Sequence, residues 1–77
     1  MLVKNIKGTE ENVPYGYSDW HDFWEKKTGQ KALRDLGGHV KKVNSDDNAW
    51  YIADISTAQS RLVDPYEYNG ALAKLRD

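Results

Sequence analysis

The 77-residue chain contains no cysteine. At this length a single hydrophobic core is marginal, and small domains often add disulfides or a thiolate-bound metal. Without cysteine, disulfides, thiolate zinc sites and cysteine nucleophiles are all excluded together. Stability must therefore come from packing. Three tryptophans and five tyrosines are the main source of buried area, because large aromatics bury the most surface per residue. One domain, residues 1–77, is the only division that such a short chain allows.

Charge narrows the classes of function. Eleven basic and twelve acidic side chains leave a formal charge of −1. A general phosphate-binding surface needs a clear basic excess, so only a local basic patch is open to this chain. No apolar run reaches the length of a membrane-spanning helix, and "MLVKNIKGTEENV" lacks the apolar centre of a signal peptide. The expected setting is cytoplasmic, with no membrane association.

Periodicity sets the elements. "LVKNIKG" alternates and predicts a short strand. "GTEENVPYGY" is punctuated as loop by Gly8, Pro14 and Gly16. Ser18 or Asp19 can cap a helix, and Asp19 and Asp22 suit the positive end of its dipole. Trp20, Phe23 and Trp24 then repeat at helical spacing as one apolar face. Lys26 and Lys27 suit the last turn, and Gly29 is a natural stop. "QKALRDLGG" predicts a further helical turn with Ala32, Leu33 and Leu36 inward, ended by Gly37 and Gly38. "HVKKV" and "AWYIADI" form a hairpin near 39–54, joined by the turn "NSDDN". Ser56 caps a following helix through "TAQSRLV", which Asp64-Pro65 stops. "PYEYNG" is extended, and "ALAKLRD" is either a terminal helix or a strand. The expected fold is α+β: an aromatic helix on a short antiparallel sheet, with a second helix after the hairpin. Trp20, Phe23, Trp24, Trp50 and Ile52 are its expected core.

No catalytic set emerges from the sequence. There is no phosphate-cradling glycine loop and no nucleophile elbow. His21 and Asp22 are neighbours on a helix and point apart. His39 follows two glycines that let a ligand or backbone approach closely, but the simpler reading is a local hydrogen bond. Asp46 and Asp47 lack the glycine and terminal glutamate of a calcium loop, and they suit a turn. Lys31, Arg34, Lys41 and Lys42, with Trp50 and Tyr51 nearby, form a mixture that can bind single-stranded nucleic acid by stacking and phosphate contact. The candidate binding residues are therefore His39, Lys41, Lys42, Lys31 and Arg34. No catalytic residue, metal ligand or cofactor is expected.

Three segments, "YGYSDWHDFWEKKTGQ", "LGGHVKK" and "DNAWYIADISTAQS", carry a resemblance. They resemble a family of small, mostly uncharacterised bacterial proteins of zinc-knuckle or treble-clef character. That family pattern starts Cys-x-Cys-Gly-Ser-Trp-x-x-x-Trp, continues through Ser-Gly-Gln, two cysteines and Gly-Ala-His-Val, and ends Trp-Tyr-Ile-Val-Pro-Leu-Cys-x-x-His-Asn. Trp20 and Trp24 match its paired tryptophans. Thr28-Gly29-Gln30, Gly37-Gly38-His39-Val40 and Trp50-Tyr51-Ile52 match its other segments, over roughly residues 3 to 60. Its metal ligands are missing. Tyr15 and Tyr17 stand at the first cysteines, "KALRDL" is shortened, and Ser56 and Gln59 replace the later cysteine and histidine. The layout also resembles the ββα core of HNH nucleases, with His39 at the place of the general base. Without a metal that chemistry has no activated water. The resemblance implies a metal-free relative in which tyrosines, tryptophans and the shortened loop replace the zinc as stabiliser. The expected function is a non-enzymatic protein-binding module, of the kind phages or mobile elements direct at host systems. The alternative is a nucleic-acid-binding relative of HNH or treble-clef domains.

Overall fold

The computed structural model of the protein describes residues 1–76. Five strands and two helices follow in the order β1 (Leu2–Asn5), α1 (Trp20–Thr28), β2 (Leu36–Lys42), β3 (Trp50–Ile55), α2 (Thr57–Ser60), β4 (Tyr66–Glu67) and β5 (Leu72–Arg76). The fold is α+β, with one antiparallel sheet of strand order β4-β1-β2-β3-β5. The C-terminal segment is thus a strand, and Asp77 lies outside the described residues.

The sheet is strongly curled. Its two edge strands, β4 and β5, are joined by residues 68–71 alone. In a flat sheet these edges would lie about 19 Å apart, given strand spacings near 4.8 Å. Five residue steps span about 17 Å even when fully extended. Tyr68 bridges the resulting gap. Its N–H donates to Met1 O at 2.8 Å, while its hydroxyl receives the Asp54 N–H at 3.1 Å and donates to Ala71 O at 2.6 Å. Val3, Val40, Tyr51, Ala53, Ile55 and Tyr68 pack inside the curl. The outer side carries α1, whose Phe23 and Trp24 pack on Ile52 and Ala73. Residues 51–55 of β3 are all buried, so this interior strand reads as a continuous apolar run broken only by Asp54.

Helix α1 spans nine residues, too few to be stable in isolation. Its ends are well satisfied. The Asp19 carboxylate accepts from Asp22 N–H at 2.7 Å, and Asp22 accepts from Ser18 N–H at 3.0 Å. Gly29, at φ 73°, closes the helix by donating to Glu25 O at 2.8 Å. Packing supplies the rest: Trp24 Nε1–H donates to Ala71 O at 2.9 Å, tying the helix to the approach to β5. Trp20 and Trp50 are half-buried, whereas Phe23, Trp24 and Ile52 are buried.

Two local expectations are corrected. Residues 30–35 form no helical turn, and Leu33 points outward at 84% exposure. The N–H groups of Ala32, Leu33, Arg34 and Asp35 bond instead to Glu25, Asp54 and the Ile55 carbonyl, so no helical ladder can form. Gly37 and Gly38 lie within β2 rather than after a helix. The α2 helix also ends at Ser60, short of the expected Val63.

Gly37 is required by the close approach of α1 to the sheet. A Cβ there would lie 2.8 Å from the backbone C and O of Trp20, and neither atom can move without shifting the helix start. Gly37→Ala is expected to cost about 1–3 kcal/mol through overpacking. Urea unfolding of both forms tests this, and equal midpoints would contradict the close approach.

Candidate functional site

Two polar networks lie on the helix side of the sheet. The first is centred on Asp54, an acid at the inner end of β3 with 9% exposure. A buried carboxylate is costly unless its oxygens are bonded. Its Oδ1 accepts from His21 Nε2–H at 2.7 Å. Its Oδ2 accepts from Leu33 N–H at 2.8 Å, and Arg34 N–H is shared between both oxygens at 3.2 Å. Glu25 holds Ala32 N–H at 2.8 Å, and Asp35 closes the segment by accepting from Thr57 N–H at 2.8 Å. The Asp35 carboxyl is held below its ordinary range mainly by that Thr57 N–H, with the nearby Arg34 and His21 charges adding to the effect. The backbone of the loop is thus pinned at four successive residues. The side chains of Lys31, Leu33 and Arg34 are exposed, whereas the exposed Asp35 carboxylate is held by the Thr57 N–H.

The second network is centred on His39, with 8% exposure. Its Nε2–H donates to Glu11 Oε1 at 3.1 Å, and Glu11 Oε2 accepts from Arg76 Nη1 at 3.0 Å. The Arg76 guanidinium lies 4.1 Å over the Trp50 ring. Trp20 meets the His39 ring edge-on at 4.5 Å, and Trp50 does so at 6.4 Å. Glu11 therefore straps the loop before α1 across the sheet. Burial pushes the His39 pKa below its ordinary value, and the Glu11 hydrogen bond and charge oppose that shift in part.

The candidate binding residues do not gather in one place. Lys31 and Arg34 lie together on the pinned loop, beside a cleft of about 270 Å³ lined also by Trp24 and Tyr68. Lys41 lies five residues beyond Leu36 along β2, about 17 Å from it at ~3.4 Å per residue. It stands directly opposite Lys4. Lys42 points to the other face, where its ammonium pairs with Asp47 at 3.2 Å and sits 4.9 Å over the Tyr51 ring. There the Asp47 pKa falls to about 2, chiefly because the Tyr51 hydroxyl donates to it, and the Ala49 N–H and Lys42 add to this. His39 is too enclosed to present its ring to a partner.

The residues implied by the resemblance also have local roles. Ser56 and Gln59 form a capping box, with Gln59 N–H on Ser56 Oγ at 3.1 Å and Ser56 N–H on Gln59 Oε1 at 2.9 Å. Tyr17 packs edge-on against Phe23 at 5.0 Å, whereas Tyr15 is fully exposed and stabilises nothing by packing. Among the described residues no group of three or more His, Cys, Asp or Glu side chains could hold a metal ion. No helix there is long and apolar enough to cross a membrane. Asp54, Glu11, His21 and Arg76 were absent from the candidate list. Only Asp54 had a signal in the sequence: an acid inside an otherwise apolar strand run must be paired.

Both networks make measurable predictions. Asp54→Asn leaves one oxygen to do the work of two, so amide exchange at Leu33 and Arg34 should accelerate about 10- to 100-fold, the equivalent of losing a charged hydrogen bond. Unchanged exchange would show that the loop is held by other means. For His39, the unfolded ring takes up a proton near pH 6.5 while the folded ring resists it. Its contribution is complete above pH 6.5 and is lost as pH falls below it. The denaturation midpoint should therefore drop more steeply between about pH 7.5 and 5.5 in the wild type than in His39→Gln, and parallel curves would contradict this. No protein-family model, curated protein or solved structure matches the chain, and the functional reading rests on these side chains.

Proposed function

We propose that the chain is a non-enzymatic protein-binding module that presents its 31–35 loop to a partner. The carrying observation is the contrast within that loop. A buried carboxylate, a second acid and the Ile55 carbonyl are committed to its backbone, yet Leu33 stays 84% exposed. Rigid loops with outward side chains lose little entropy on association. The uses of the titratable groups agree with this reading. His21 and His39 each donate to a carboxylate that also holds backbone or an arginine, so neither is poised as a free base. The capping box at Ser56 and Gln59 supports a structural role for positions that would carry metal ligands in the resembling family. A small scaffold of this type suits an inhibitor that phages or mobile elements direct at a host system.

One observation favours a second reading. Lys4 and Lys41 face each other on β1 and β2, and Trp50 follows one position beyond the Val40–Tyr51 pair. Together with Arg76 over Trp50, this makes a cationic and aromatic row across four strands. Such a row suits single-stranded nucleic acid.

Co-purification of the full chain from its native host separates the two. The expected result is a protein partner held in comparable amount by the wild type and reduced at least ~10-fold, about 1.4 kcal/mol, by Leu33→Ser. The variant should keep its unfolding midpoint because the side chain is exposed. Capture of no protein, with salt-sensitive oligonucleotide binding that Lys4→Gln and Lys41→Gln weaken, would overturn the first reading in favour of the second.

A further inference from the structure

Among the described residues, the cleft beside the pinned loop carries two acids that have partners and two cations that lack ion-pair partners. Four charged side chains line it, Lys31, Arg34, Asp54 and Glu67, together with the neutral Tyr68 phenol. Both acids are already committed. Asp54 is saturated by His21, Leu33 and Arg34 N–H donors. Glu67 accepts from the Met1 ammonium at 2.7 Å. Among the described residues neither Lys31 nor Arg34 makes an ion pair. The Arg34 charge reaches Asp35 and the Tyr68 hydroxyl only at longer range. The unmet charge of the cleft is therefore positive.

We propose that this cleft receives the carboxylate side chains of an acidic segment of a protein partner, with Lys31 and Arg34 as the receiving cations. The proposal rests on the protein-binding reading and specifies its chemistry. Arginine presents a planar fork that matches a carboxylate with two parallel hydrogen bonds. Here that side chain springs from a backbone whose N–H is bonded to Asp54, so its base is held before binding. Leu33 on the rim and Trp24 in the wall add apolar contact. A volume of about 270 Å³ lies just below the usual range of ligand sites and admits side chains rather than a folded element.

A nucleic acid backbone fits this place less well. It needs cations that continue along a track. The other candidate binding cations, Lys41 and Lys42, do not extend one. Lys41 and Lys4 lie at the other end of the sheet, and Lys42 is paired with Asp47 on the opposite face.

An NMR titration of the full chain tests the proposal. The probes are an acetylated tetra-glutamate amide, the matching tetra-glutamine peptide, and an oligothymidylate of equal charge. The glutamate peptide should shift the amides of Lys31, Leu33 and Arg34 and the Trp24 indole N–H. The double variant Lys31→Gln, Arg34→Gln should weaken that binding at least ~10-fold with the rest of the spectrum unchanged. Absence of shifts at these residues overturns the proposal. So does equal binding of the glutamine peptide, or tighter binding of the oligothymidylate at the same residues. The two readings can fail separately. A captured partner that is lost in Leu33→Ser but kept in the double variant overturns the acidic-segment proposal and leaves the protein-binding reading standing. Capture of no partner in any form removes the protein-binding reading as well.

Discussion

A carboxylate buried on the helix side of the sheet organises much of this molecule. Asp54 sits where β3 ends, and leaving it unbonded there would cost several kcal/mol. The chain meets that demand from segments far apart in sequence. His21 comes from the first turn of α1, Leu33 and Arg34 from the loop after it, and the hydroxyl of Tyr68 satisfies the backbone N–H of Asp54. Tyr68 in turn closes the gap between the edges of the curled sheet. Helix, loop and sheet closure therefore meet at one acid. Disturbing it should loosen all three, because groups in one polar network do not act independently.

The His39 network works in a similar way over a different distance. Glu11 lies on the loop before α1, and Arg76 lies at the end of β5. Their carboxylate–guanidinium pair crosses the face of the sheet over an arginine stacked on Trp50. Both histidines of the chain thus serve to position other groups. The exposed side chains of Lys31, Leu33 and Arg34 on the pinned loop are the features on which the proposed binding role rests.

Local signals in the sequence were read well where a residue acts on its own neighbourhood. Asp19 and Gly29 cap α1 as their chemistry requires, and Ser56 caps α2 with Gln59 answering three residues later. The apolar run 50–55 is the interior strand β3, and its antiparallel pairing with β2 gives the expected hairpin. Residues 30–35 were misread for a physical reason. Alanine, leucine and lysine favour helix by intrinsic propensity, but the donors of this segment bond to Glu25 and Asp54 instead. A side chain seven positions away and another about twenty away outweigh propensity. Of the candidate binding residues, Lys31 and Arg34 proved neighbours, while Lys41 and Lys42 fell on opposite faces of β2 and His39 was buried. Strand alternation put Lys41 and Lys42 on opposite faces, and burial removed His39 from the surface.

By itself the sequence determined the α+β class, the capped aromatic helix, the hairpin, and the need for packing in place of disulfides. Each follows from side-chain period or from chemistry confined to a few neighbouring residues. Tertiary structure alone decided that the sheet curls, that Gly37 must lack a side chain, and that Asp54 and Glu11 hold distant segments together. These depend on contacts between residues as many as 67 positions apart, and no local pattern encodes which distant partner a buried charge will find.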